Sequence, residues 1–95
     1  MSLPFKEVLL ESNENYSRFI REFSKDLSNE ELNWHRDKED RLVEVKSGNE
    51  WYIQFENELP RLMSKGLKII IPKYTWHRII NKNRTNLVIE VRKYK

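Results

Sequence analysis

From Arg41 onward apolar side chains recur at every second position, and that period constrains this chain more than any other feature in it. Val43 and Val45 alternate with charged neighbours, and Trp51, Ile53 and Phe55 alternate with Tyr52, Gln54 and Glu56. Leu67, Ile69 and Ile71 repeat the pattern, and Trp76–Lys82 and Asn86–Arg92 complete the set. Successive side chains of a strand point to opposite faces, so each run reads as a strand with one face on a core. Ile70 between two core positions suggests burial on both faces. Ser47-Gly48-Asn49 and Asn83-Arg84-Thr85 supply turns, and Pro60 breaks a ladder or marks an edge. Short strands joined by polar turns indicate a β-sandwich or barrel.

The first third reads differently. Phe5–Leu10 is a short apolar opening segment. Tyr16, Phe19, Ile20, Phe23 and Leu27 then fall at i, i+3, i+4, i+7 and i+11, which predicts an amphipathic helix over 13–26. Ser12 or Asn13 is placed to cap it, and Glu14 with Arg18 has the order of an i,i+4 ion pair. Ser28 with Glu31 matches a second capping box, enough for a single turn. The expected organisation is one domain over 1–95, with an N-terminal segment and helix (1–32) packed outside a β-barrel (33–95).

Ninety-five residues make a small domain with limited core, for which pairing with a second copy adds buried area. Three Trp, four Tyr and four Phe are more than a disordered segment carries. The chain has no cysteine, which excludes a disulfide scaffold and thiolate metal sites and fits a cytoplasmic protein. Met1–Leu10 shows no secretory signal pattern, and no uninterrupted apolar run is long enough to span a membrane. Charge is uneven along the chain. Residues 1–60 carry 8 Lys/Arg against 14 Asp/Glu, and residues 61–95 carry 10 against 1. The basic residues of the second part are interleaved with core positions and form no single stripe, which argues against nucleic-acid binding.

The residues with chemistry to offer are few. His35, Asp37 and Arg41 share strand parity with Val43 and Val45, which places them on the barrel's inner side. His77 follows Pro72 where a strand resumes and can reach the same mouth. Two imidazoles and a carboxylate are the ligands of a three-residue site for iron(II), manganese or zinc. Trp34 and Trp76 each precede one of these histidines and are candidates to wall a ligand pocket, as is Gln54, although Ile53 and Phe55 argue that Gln54 points outward. No Ser/His/Asp, Cys/His or Gly-rich phosphate pattern is present.

These residues resemble the two-motif signature of the cupin superfamily. The second motif falls on Gly66, Pro72, His77 and Asn81, with Tyr74 standing where the pattern has a second glycine. The first places His35 on its first histidine and Gly48 on its closing glycine, while Asn29, Asp37 and Arg41 replace the opening glycine, the second histidine and the glutamate. The resemblance covers residues 29–81 and implies an all-β, compact jelly-roll barrel, commonly paired into a homodimer. It implies a metal held by His35, Asp37 and His77. Arg41 opposes this, since a guanidinium about 5 Å from a divalent ion costs about 6–7 kcal/mol at an effective dielectric of ~20. The alternative is a metal-free cluster in which Asp37 bridges Arg41, and Arg41's charge tips the balance slightly toward it. The expected function is binding of a small polar or anionic molecule in the mouth by Arg41, Gln54, Trp34 and Trp76, with or without a divalent metal. A non-catalytic regulatory or structural dimer module is the alternative, and a nucleic-acid accessory role comes third.

Overall fold

The computed structural model describes residues 3–95, and every regular element in it is a strand. The elements are β1 (Phe5–Ser12), β2 (Tyr16–Phe23), β3 (Arg41–Ser47), β4 (Trp51–Phe55), β5 (Arg61–Leu62), β6 (Lys68–Ile71), β7 (His77–Asn81) and β8 (Leu87–Tyr94). One sheet has the order β1-β2-β8-β3-β6 and the other β5-β4-β7, with the pairings antiparallel throughout. The two sheets face each other as a jelly-roll sandwich.

The period-2 pattern places the core as expected. Opposite residues in an antiparallel pair share a face, and the register sets Val43 against Val91 and Ile69, and Val45 against Ile89. From the smaller sheet, Trp51, Ile53 and Ile79 point back at them. Trp51 is fully buried, and its indole N–H donates to the Thr85 carbonyl at 2.7 Å, so the polar edge is satisfied. Ile70 departs from the expectation of two-sided burial. It sits on edge strand β6, points away from the second sheet and is 70% exposed.

The expected helix over 13–26 is absent. The segment instead turns and forms β2, flanked by β1 on one side and β8 on the other. The Asn13 side chain accepts hydrogen bonds from the Asn15 and Tyr16 amides, the same capability that suggested a helix cap, but it builds the β1–β2 turn. Arg18 pairs with Glu11 on β1 and Glu90 on β8 rather than with Glu14. Phe19 and Phe23 face inward with Val91 and Leu87, while Tyr16 and Ile20 lie on the outer face. A helix here would leave β8 an unpaired edge and forfeit two full ladders, and that tertiary gain overrides the local periodicity. Ser28 and Glu31 do pair as the capping box predicts, but only within a turn between β2 and β3.

The second motif now has a physical reading. Gly66 adopts φ +88°, although a Cβ there would meet nothing within 4 Å, so the backbone conformation alone accounts for glycine. Tyr74 adopts φ +60°, the left-handed region that glycine favours, and its amide donates to the Asp37 carbonyl at 2.7 Å. Asn81 is buried. It donates to the carbonyls of Lys25 and Leu27 and accepts from the Asn83 amide, which ties the loop after β2 to the end of β7.

Candidate metal centre in the barrel mouth

His77 opens β7 on the inner face, opposite Phe55. His35 lies in the irregular stretch before β3 and is joined to His77 by a single bridge, each residue's N–H donating to the other's C=O at 3.0 and 2.9 Å. Their ring centroids lie 4.3 Å apart, edge to face. Asp37 follows two residues later, held by the bond from the Tyr74 amide. The convergence expected from strand parity is thus achieved by an irregular segment pinned at two points.

Each imidazole uses Nδ1 against a backbone carbonyl two residues before it, His35 on Asn33 at 3.0 Å and His77 on Thr75 at 2.8 Å. A carbonyl only accepts, so both Nδ1 atoms carry the proton and both Nε2 atoms present a lone pair when the ring is neutral. Burial is the main cause holding the His77 imidazole below its ordinary value, with His35 and Arg41 adding to the effect against the pull of the Thr75 carbonyl and Asp37. His77 is therefore neutral near pH 7.

Asp37 divides its oxygens. Oδ1 meets Arg41 Nη2 at 3.1 Å. Oδ2 is buried without a hydrogen-bond partner and lies 3.4 Å from His77 Nε2. A carboxylate oxygen facing the lone pair of a neutral imidazole is repulsive unless a proton or a metal ion lies between them, and an unsatisfied buried acceptor costs about 1–3 kcal/mol. One ligand atom from each of His35, Asp37 and His77 lies within 4.8 Å of the others. That donor set, with carbonyl-fixed tautomers behind it, fits a borderline divalent ion.

Arg41, which stands at the family's glutamate position, does not lie free beside this group. Glu39 accepts from its Nε at 3.0 Å and its Nη2 at 2.8 Å, and Asp37 Oδ1 forms an ion pair with Nη2 at 3.1 Å. Two carboxylates thus share one guanidinium, which offsets much of the repulsion expected from the residue type alone. Glu39 sits in a charged string that resembles a solvated loop, yet it grips Arg41. Asp40 accepts from the Lys73 amide at 2.8 Å and braces the loop to β7.

Behind the three ligands lies an interior cavity of about 120 Å³. Arg21 and Arg41 contribute to its wall, which is otherwise mostly aliphatic and aromatic. Trp34, Trp76 and Gln54 are not part of this mouth. They line a separate, open groove on the outside of the smaller sheet, beside Glu56 and Glu58. Trp76 and Gln54 have opposite parity to inward-facing His77 and Phe55, which directs them outward. Arg78 donates to Gln54 at 2.9 Å and stacks on Trp34 at 4.7 Å, binding this external group together.

The two facing sheets, with His77 on the inner face, define a protein with the cupin fold. Solved structures agree across nearly the whole chain. A cupin domain from Bordetella pertussis Tohama I superposes with a TM-score of 0.71 at 18% identity, over 100% of this chain and 98% of that one. An RmlC-like cupin with a double-stranded β-helix fold from Methanocaldococcus jannaschii gives 0.76 at 16% identity, over 98% and 82%. An RmlC-like cupin from Shewanella frigidimarina NCIMB 400 gives 0.80 at 14%, over 99% and 78%. No family model matches the sequence, and no curated protein does. The likeness is one of fold, carried by backbone architecture at low identity.

Proposed function

We propose that this protein binds a small polar or anionic molecule inside its barrel, beside a divalent metal held by His35, Asp37 and His77. The observation that carries the reading is Asp37 Oδ2, buried, without a hydrogen bond, and turned toward the bare Nε2 of His77. Iron(II), manganese and zinc all suit two imidazoles and a carboxylate. Three protein ligands leave coordination positions open, and a metal there supplies Lewis-acid polarisation of a bound oxygen. The chain's own contribution is to fix both tautomers through Asn33 and Thr75, to hold Arg41 back through Glu39, and to exclude water with the aliphatic wall.

A second copy of the chain is the partner this reading includes. Strand β1 forms an edge of the larger sheet, and Val8 and Leu9 on it are 61% and 57% exposed. An apolar edge strand with free backbone groups favours pairing with another strand.

The test is calorimetric titration of metal-stripped protein with zinc and manganese. Micromolar or tighter binding is expected for one of them, lost in His77→Ala and weakened at least tenfold in His35→Ala, whose exposed side chain makes misfolding a poor explanation. Wild-type binding no tighter than millimolar for either ion overturns the metal reading.

A further inference from the structure

The register across β3 and β8 sets Arg41 directly opposite Lys93 on the inner face, one step beyond the buried Val43–Val91 pair. Like charges placed opposite each other destabilise a sheet unless something of opposite sign lies between them. Arg21, on the inner face of β2, lines the same cavity as Arg41. Burial, followed by the fields of Arg21 and Arg41, lowers the Lys93 ammonium from its ordinary value, so the three cations lie within electrostatic reach of one another.

Glu31, which also lines the cavity, accepts from the Ser28 amide and hydroxyl, and the other nearby anions are committed to the arginines. Glu7 pairs with Arg21 at 2.6 Å, and Asp37 and Glu39 pair with Arg41. Lys93 has no carboxylate within 4.0 Å among the described residues, and its ammonium rests over the Phe19 ring at 4.9 Å. Arg41 spends Nε and Nη2 on the two carboxylates, which leaves Nη1 for another acceptor. A divalent ion on Asp37 would raise the positive excess further. The cavity, which Arg21 and Arg41 line and Lys93 does not, has an apolar wall of Val43, Ile53, Ile71, Ile79, Ile89 and Val91. At about 120 Å³ the cavity is small, which favours a small ligand.

We propose that the molecule bound inside the barrel is a short-chain aliphatic carboxylate, its carboxylate held by Arg41 and Lys93 and its chain by the aliphatic wall. The inference rests on the reading that the barrel interior is the ligand site, and it does not require the metal. Arg41's planar fork suits a carboxylate, and Lys93, opposite it on the inner face of the sheet, adds a second charge. The apolar floor disfavours a polyhydroxylated ligand, whose hydroxyls would lose their hydrogen bonds there.

The probe is propionate, with propionamide as its neutral counterpart of similar shape. Binding is followed by amide chemical shifts and calorimetry, on metal-stripped protein and on protein with one equivalent of zinc. Propionate is expected to bind at least tenfold more tightly than propionamide in both forms, and more tightly with zinc than without. Arg41→Gln should weaken propionate at least tenfold and Lys93→Gln about threefold, with little change for propionamide. Lys93 lies outside the metal group, so its variant keeps the test open if Arg41→Gln fails to fold. If zinc fails to bind while propionate binds with this Arg41 and Lys93 dependence, the carboxylate inference stands and the metal reading falls. If zinc binds but propionate does not, or if propionate and propionamide bind equally, the carboxylate inference is overturned.

Discussion

His35 and His77 are locked to each other through the backbone, each N–H on the other's carbonyl at 3.0 and 2.9 Å, while their Nδ1 atoms are held by the carbonyls of Asn33 and Thr75. Two side chains 42 positions apart in sequence are thereby given one tautomer and one direction before any ligand arrives. Pre-orientation of this kind is what a metal centre requires of its outer support.

Arg41→Glu replaces the cation paired with Asp37 by a carboxylate at the family's usual ligand position. Without metal, Asp37, Glu39 and the new carboxylate repel one another, so a loss of about 1–3 kcal/mol of stability is expected in metal-stripped protein. With metal, affinity for zinc or manganese should rise at least tenfold, and the thermal melt should recover on adding it. Parallel calorimetry and melts check both halves. A destabilised variant with unchanged metal affinity would place Arg41 outside the metal's influence.

His77 makes stability depend on pH. Its folded-state value lies below the ordinary 6.5, so between the two values the unfolded chain binds the proton and the folded one does not. The His77 contribution is therefore complete above about pH 6.5 and is lost as pH falls through the folded value, with a slope of at most about 1.4 kcal/mol per pH unit. Urea unfolding of metal-free protein from pH 8 to 5 should show this decline, and His77→Gln should show less of it. Equal pH profiles in the two proteins would remove His77 as the cause.

Asn81→Ala should be among the more costly single changes. It strips two donors and an acceptor from a buried network and leaves the Leu27 carbonyl without this donor, while the Lys25 carbonyl keeps its bond from Asn83 Nδ2. A loss of about 2–4 kcal/mol is expected in denaturant unfolding. A loss under about 0.5 kcal/mol would mean that water replaces the amide freely.

Tyr74→Gly should stabilise the protein. Tyr74 holds φ +60° and is largely exposed, so little packing is lost, while the left-handed conformation costs a side chain about 1–2 kcal/mol. The greater freedom of glycine in the unfolded chain takes back part of this, leaving a gain of about 0.5–1 kcal/mol. A lower melting temperature in Tyr74→Gly would show that the tyrosine side chain contributes more at the surface than its exposure suggests.

The exposed β1 edge predicts self-association. Light scattering at tens of micromolar should give a dimer mass, and Leu9→Lys should shift it toward monomer by placing a charge on the apolar edge. A clean monomer for the wild type at that concentration rules out the pairing.

Much of the barrel was legible in the sequence because alternation is a local signal. The inner faces of β3, β4, β6 and β8 follow from residue parity, as do the inward direction of His77 and the outward one of Gln54. His35, Asp37 and Arg41 stood out through residue type and spacing, with the cupin-like motif linking them to His77. The second strand was not legible. Tyr16, Phe19, Ile20 and Phe23 satisfy a helical stripe, and Asn13 can cap a helix or close a hairpin. The choice is made by ladders to β1 and to β8, the latter pairing Tyr16 with Tyr94 from the far end of the chain. No local pattern reports a partner nearly eighty residues away. The same limit hid the edge position that exposes Ile70 and the outer groove that gathers Trp34, Trp76 and Gln54. Residue type and spacing determined which groups carry chemistry and which faces are apolar. Long-range strand pairing and the folding of the irregular 33–40 stretch decided which of those groups meet, because only those contacts set distance and burial.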